Sequence, residues 1–239
     1  MFFALSSTPL LIAFSDMFRD FHCQPVQHRR DAFDDQNWLF ELKYDGFRAL
    51  AKVQGGRCEL VSRNEHAFKS FATLATDIVS SLSVESAVID GEVVCIDRHG
   101  KPQFRDLLWR RAEPCFFAFD LHYLNGQDFR THALVDRKHE LRSVLAGLPR
   151  TARICYADHI EGLGRELFAR ACELDLEGIV AKQKFAPHTT MREESAWFKI
   201  RNPRYSQWAG REELFDRERE QVPVPGWHIC DLACAGVEG

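Results

Sequence analysis

Five apolar, strand-like segments of this chain carry charged residues at or near their ends. They are Trp38–Lys43 (WLFELK), Asp90–Val94 (DGEVV), Phe119–Leu124 (FDLHYL), Glu177–Lys182 (EGIVAK) and Trp197–Arg201 (WFKIR). Burying charge on apolar strands is costly unless partners or ligands compensate. In a strand, alternate side chains share a face, so Lys199 and Arg201 point together into one cleft, and Glu177 is expected to share a face with Ile179. A site that holds several Lys and Arg with two Glu suits a phosphate chain and a divalent metal.

The rest of the pattern supplies the frame. Trp38–Lys43, Phe47–Val53 and Cys58–Val61 read as strands, with Tyr44-Asp45-Gly46 and Gln54-Gly55-Gly56-Arg57 as tight turns. Phe71, Leu74, Ala75, Ile78, Val79 and Leu82 recur at helical spacing, which predicts a helix over about 68–82. Ala87–Asp90 and Val93–Ile96 read as strands around Asp90-Gly91-Glu92, and Phe116–Leu121 as a buried strand closed by Asn125-Gly126. Further helices are expected at Phe104–Arg111, around Leu134 to Leu148, and at Glu161–Leu174. Strands are expected at Ala152–Tyr156, Gly178–Lys182 and Trp197–Arg201. Strands arrive in runs with helices between the groups. That argues for an α+β fold with antiparallel sheets and against βαβ alternation. After Pro203 the periodicity fades; Arg211–Glu220 could form a charged helix.

Composition narrows the function. Nineteen Phe and five Trp supply a core, and the net charge of -4 excludes a general attraction to polyanions. The acidity is concentrated in residues 203–239, with four Arg against seven Asp or Glu, so any polyanion site must be a local patch. No apolar run reaches the ~18 residues of a membrane span, and the apolar start lacks the basic residues of a signal peptide. Eight scattered Cys without a CxxC pair imply a reducing compartment, hence a cytoplasmic, nucleoid-associated protein without membrane partners. His228, Cys230 and Cys234 match no zinc spacing.

The segment Lys43-Tyr-Asp-Gly-Phe-Arg48 is weak by itself, because Asp-Gly turns are common between strands. It is followed in order by Ser62-Arg63-Asn64, Asp90-Gly-Glu92, Phe119-Asp120, Glu177-Gly-Ile-Val180 with Lys182, and Lys199-Ile-Arg201. Together these motifs resemble the covalent nucleotidyltransferases: ATP-dependent DNA ligases, RNA ligases and mRNA capping enzymes. The wording is most similar to the adenylation (nucleotidyltransferase) domain of bacterial ATP-dependent DNA ligases of the end-joining type. The resemblance covers about residues 25–203. It implies an ATP-grasp-like α+β domain with two mainly antiparallel sheets flanked by helices.

The resemblance implies roles residue by residue. Lys43 attacks the α-phosphate of ATP and becomes a lysyl-AMP, with nearby cations from Lys182, Lys199 or a metal favouring the neutral amine. Arg48 and Arg63 contact the ribose or the 5′-phosphate of a nicked strand. Glu92 contacts a ribose hydroxyl and, with Glu177, is the expected holder of Mg²⁺ or Mn²⁺. Phe119 stacks on adenine and Glu41 helps to read it. Lys182 and Lys199 hold phosphates. Arg201 stands where the family usually has Lys; it keeps the charge, but a planar fork is not a point ammonium. A basic surface beside the cleft is expected from Arg48, Arg63, Arg98, Lys101, Arg105, Arg110 and Arg111, to receive nicked double-stranded DNA.

The expected organisation is an N-terminal extension (1–24), the adenylation domain (25–203) and an acidic tail (204–239) without the OB-fold domain that carries a sixth family motif. That arrangement implies slow lysine adenylation, or a partner domain or end-joining protein supplied in trans. An RNA ligase or capping-type enzyme, and a catalytically weak module that binds DNA ends or nucleotide, remain open beside the DNA ligase reading. The intact Lys43, Glu92, Glu177 and Lys199 favour an enzyme.

Overall fold

Runs of alternating apolar residues, punctuated by Gly and Asn turns, build two sheets in the computed structural model, which describes residues 17–208. The first sheet has the order β1-β11-β10-β2-β9: β1 (Gln27–His28), β2 (Asp35–Leu42), β9 (His159–Gly162), β10 (Gly178–Gln183) and β11 (Trp197–Arg201). The second has the order β4-β3-β5-β6-β7, with β8 (Ile154–Tyr156) beside β6. Its other members are β3 (Phe47–Gln54), β4 (Arg57–Ser62), β5 (Ser86–Val94), β6 (Cys115–Leu124) and β7 (Gln127–Asp128). Pairing is antiparallel except at β1–β11 and β6–β8. This is the expected α+β fold with two mainly antiparallel sheets.

Each sheet buries one face under helices. Leu74 and Ile78 of α1 (Ala72–Ser81) and Phe104 of α2 (Phe104–Leu108) join Phe47, Ala49, Ile89 and Val93 in the larger core. Ala171 of α4 (Gly164–Glu173) packs with Phe40, Ile179, Ala181 and Ile200 on the first sheet. Residues 17–24 are not loose: Phe18, Phe21 and Cys23 pack with Leu50 and Val88, and the buried Lys52 ammonium donates to the Phe18 carbonyl at 2.8 Å.

The structure corrects four local expectations. Tyr44-Asp45-Gly46 is not a tight turn between paired strands, because β2 and β3 lie in different sheets. The chain crosses from one sheet to the other there, and Gly46 allows it: a Cβ would overlap the Val93 carbonyl. Asp90-Gly91-Glu92 does not separate two strands but lies within β5, with a register shift between Asp90 and Gly91. Glu161 and Gly162 belong to β9, not to a helix, and α4 starts at Gly164. Finally, Glu177 does not share a face with Ile179. Gly178 has φ +139, a conformation L side chains rarely adopt, and it reverses the alternation. Ile179 and Ala181 face the core, whereas Glu177, Val180 and Lys182 line the cavity between the sheets. The expected helix at Arg211–Glu220 and the His228, Cys230 and Cys234 group lie outside the described residues.

Candidate active site

Strand register assembles the site. On the first sheet, Val180 pairs with Glu41 on one side and Lys199 on the other, and Lys182 pairs with Leu39 and Trp197. Beyond the end of β2, the Lys43 amide continues the ladder to the Gly178 carbonyl at 2.9 Å, level with Arg201. On the second sheet Arg48 is directly opposite Glu92. The two sets face one cavity of about 510 Å³. All ten residues singled out from the sequence line it: Glu41, Lys43, Arg48, Arg63, Glu92, Phe119, Glu177, Lys182, Lys199 and Arg201. Arg98, Lys101, Arg105, Arg110 and Arg111 do not. Lys101 is instead paired with Asp175 at 2.7 Å, and the Arg111 guanidinium lies 4.4 Å from the centre of the Trp109 ring.

Seven Lys or Arg and four acids line the cavity, so a local positive site exists on a chain of net negative charge. The charges are sorted in space. The Lys43 ammonium is 2.7 Å from Glu177 Oε2, and Lys199, one of the cations expected beside it, is near enough for the two charges to interact. Lys182 is engaged elsewhere. It is 2% exposed, its ammonium is 2.6 Å from Glu41 Oε2, and it lies 4.1 and 3.9 Å from the Phe119 and Trp197 ring centres. Burial lowers the Lys182 pKa to about 8 against the pull of Glu41.

Glu41 is clamped at both oxygens, because Lys138 donates to Oε1 at 2.6 Å. Burial alone would raise its pKa; the two lysines outweigh burial and hold it below the usual value. Lys138 also donates to the carbonyls of Phe119 (3.3 Å) and Ala157 (3.2 Å). It therefore ties both cavity walls together. Arg48 makes a forked contact with Asp90 at 3.1 and 2.6 Å and donates to the Gln24 carbonyl at 2.7 Å. Asp90 is fully buried, so this pair fixes the guanidinium at the cavity wall.

Two further groups are tuned by position. Burial raises the Glu92 pKa to about 8; Lys43 opposes this and Glu177 adds to it. Lys199 falls to about 8 through burial, then through Arg201, Lys43, Arg192 and Arg63. These four neighbours are all cations, so negative charge beside Lys199 would be stabilised.

Sequence reading missed three participants. Lys138 is in α3 (Leu134–Val144), four residues from Leu134 and three from Leu141, on the face that reads as apolar. A charged residue on that face was the available signal. Trp197 opens β11, and alternation marks it only as a strand residue. Arg192 is in the β10–β11 connection, and nothing in the local pattern distinguishes it from a solvated Arg.

No group of three or more His, Cys, Asp or Glu among the described residues is arranged to hold a metal ion. The oxygen pair Glu92 and Glu177 nevertheless fits a hard cation. Both line the cavity and Glu177 helps to raise the Glu92 pKa, and Mg²⁺ commonly uses one or two carboxylates with substrate phosphates completing its shell.

Comparison with known proteins follows the same lines. Residues 21–201 match the family described as "ATP dependent DNA ligase domain". The chain is 30% identical over 169 residues to the multifunctional non-homologous end joining protein LigD of Pseudomonas aeruginosa, covering 69% of this chain and 20% of that protein. It is 28% identical over 186 residues to the SPbeta prophage-derived DNA ligase-like protein LigB of Bacillus subtilis, covering 74% and 66%. Among solved structures, it is similar to a mycobacterial DNA ligase D complexed with ATP and MES, with TM-score 0.65 and 26% identity, covering 77% of this chain and 61% of that one. The chain thus spans about a fifth of the LigD protein and just under two thirds of LigB.

Proposed function

The chain belongs to the ATP dependent DNA ligase domain family, and from that premise we propose that it transfers AMP from ATP to Lys43 and on to DNA, sealing nicks in double-stranded DNA during repair or recombination. The observation that carries this reading is the convergence of Lys43, Glu92, Glu177 and Lys199 on one net-positive cavity. The Lys43 amine attacks the α-phosphorus; a P–N bond forms and the bond to pyrophosphate breaks. The 5′-phosphate of a nick then takes the AMP, and the neighbouring 3′-hydroxyl displaces it. Such transfers depend on in-line positioning and charge neutralisation more than on proton chemistry.

Phe119 and Val180 offer apolar faces for the base, with the clamped Glu41 behind them. Glu92, which lines the cavity, is assigned to a ribose hydroxyl. Arg48 and Arg63 are assigned to the ribose or the 5′-phosphate, and Lys182, Lys199 and Arg201 to the phosphates and their surrounding field. Glu177 and Glu92 would hold Mg²⁺ or Mn²⁺, which when bound neutralises phosphate oxygens. Glu177 has the further task of pairing with the Lys43 ammonium until substrate arrives.

DNA would approach along the outer basic residues Arg98, Arg105, Arg110 and Arg111, which are exposed around α2. Phe104 of α2 packs 5.6 Å, ring to ring, from the cavity-lining Phe47, so that surface adjoins the cavity. The adenylation domain is assigned to residues 25–203, flanked by residues 1–24 and the acidic 204–239. A partner domain or end-joining protein acting in trans belongs to the same proposal. No helix among the described residues is long and apolar enough to cross a membrane; a nucleoid-associated protein in the cytoplasm is part of the same proposal.

The test is incubation with α-labelled ATP and Mg²⁺ or Mn²⁺ followed by a denaturing gel. Retained label that Lys43→Ala removes supports the reading; no retained label on the native chain overturns it.

A further inference from the structure

Residues 202–208 follow β11 and lie beyond the stretch that matches the family. They form a strap, ending in a 3-10 turn at Ser206–Trp208, that is fastened to both sheets' connections. Asn202 Nδ2 donates to the Leu176 carbonyl at 3.0 Å. The Ser206 amide and hydroxyl donate to Asp175 at 2.8 and 2.5 Å. Gln207 accepts from the Phe104 amide at 3.1 Å and donates to the Pro102 carbonyl at 2.8 Å. Between these anchors, the hydroxyl of Tyr205 donates to Asp45 Oδ2 at 2.9 Å. Both residues are buried, at 4% and 3% exposure.

We propose that Tyr205 is a positioning residue for Lys43: its hydroxyl holds Asp45, and Asp45 holds the crossing segment that presents the Lys43 amine. The inference rests on Lys43 being the nucleophile. The crossing has no ladder of its own, because it passes between sheets. Lys43 is tied to Gly178 at one end, Gly46 is pressed on the Val93 carbonyl at the other, and Tyr44 stacks on Phe117 at 4.2 Å. Asp45, in the middle, is fastened by a residue 160 positions away in sequence. Removing that donor leaves a buried carboxylate one hydrogen bond short, which costs more than the bond itself, so the carboxylate is driven to reorient and the segment moves with it. In-line attack tolerates little such movement: a displacement of about 1 Å costs up to roughly 100-fold in rate.

The test compares Tyr205→Phe, which keeps the buried ring, with Gln207→Ala, which loosens the same strap away from the crossing. Single-turnover formation of lysyl-AMP should slow about tenfold in Y205F, with half-saturation by ATP unchanged, since only the nucleophile is displaced. Gln207→Ala should lower the melting temperature while keeping the labelling rate within about twofold. Hydrogen exchange, read by mass spectrometry without ATP, should quicken at residues 43–47 in Y205F and not in Q207A. If the native chain takes no label, the nucleotidyl-transfer reading fails, and unchanged exchange at 43–47 in Y205F overturns the positioning claim separately. If the native chain labels and Y205F matches it in rate and exchange, Tyr205 is only structural. Should Y205F not fold, Asp45→Ala breaks the same bond from its other end, and unchanged exchange at residues 43–47 in that variant overturns the proposal.

Discussion

Lys43 Nζ is 2.7 Å from Glu177 Oε2, and the two residues reach each other from neighbouring strands because Gly178 turns Glu177 away from the core. In the proposed reaction Lys43 must leave this contact to reach ATP, and a divalent cation drawn to Glu177 would favour that. Glu177→Gln removes both the partner and the metal-binding charge. Lysyl-AMP formation should fall by about 100-fold or more, in line with losing a preorganised charge at a reacting centre. Single-turnover labelling checks this, and a native rate in E177Q would exclude a role for Glu177 in the first step.

Gly178→Ala should be damaging out of proportion to one methyl group. The new Cβ would overlap the Ile200 carbonyl oxygen and would hold φ +139 at a strain of about 1–3 kcal/mol. Urea denaturation should show a loss of at least that size. Labelling should fail even below the melting temperature, because relaxing the backbone turns Glu177 away from the cavity. A variant with native stability and native labelling would remove Gly178 from this account.

Lys138→Met should destabilise the protein by about 3 kcal/mol or more, because it leaves a buried carboxylate short of one partner. Lys182 remains as the second partner of Glu41, so the loss should lie at the low end of the range for broken buried pairs. Glu41→Gln in the same chain should recover part of it, since no buried charge is then left behind. Chemical denaturation of the two single variants and the double variant tests the coupling. Simple additivity would contradict it.

The Glu92 shift makes a signed prediction about pH. Its folded pKa, about 8, lies above the unfolded value of 4.5. Between those values the native state binds more protons than the unfolded state, so this group's contribution to stability falls as pH rises through that window. Melting temperatures of the ligand-free protein should decline from pH 5 to pH 8, and Glu92→Gln should flatten the decline. A steeper decline in E92Q than in the native chain would reverse the assignment.

In the proposed complex backbone phosphates supply most of the contacts, so DNA affinity should weaken with salt. Replacing Arg98, Arg105 and Arg111 by Ala should reduce the slope of log K against log salt by about 1 for each contact removed. Binding to nicked duplex measured across a salt series decides this. An unchanged slope in the triple variant would move the DNA path off the surface around α2.

The motifs from Lys43 to Arg201 were legible because their wording and order resemble those of a known family; local patterning alone does not place them, since Glu92, Phe119 and Lys199 lie within strands and not at their ends. The grouping of strands likewise pointed to two antiparallel sheets. Other features depended on residues far apart in the chain. That Tyr44–Gly46 crosses between sheets, that Lys182 pairs with Glu41, and that Tyr205 reaches Asp45 all follow from register and sheet pairing, which no local window contains. Lys138 marks the boundary between the two kinds of information. Its place on the apolar face of α3 was visible in the spacing, but its partner was not. Propensity and alternation act over a few residues, so they specify which groups are present and roughly which element carries each. Which charges neutralise one another is set when the two sheets close around the cavity, because Coulomb attraction and desolvation depend on the distances fixed there.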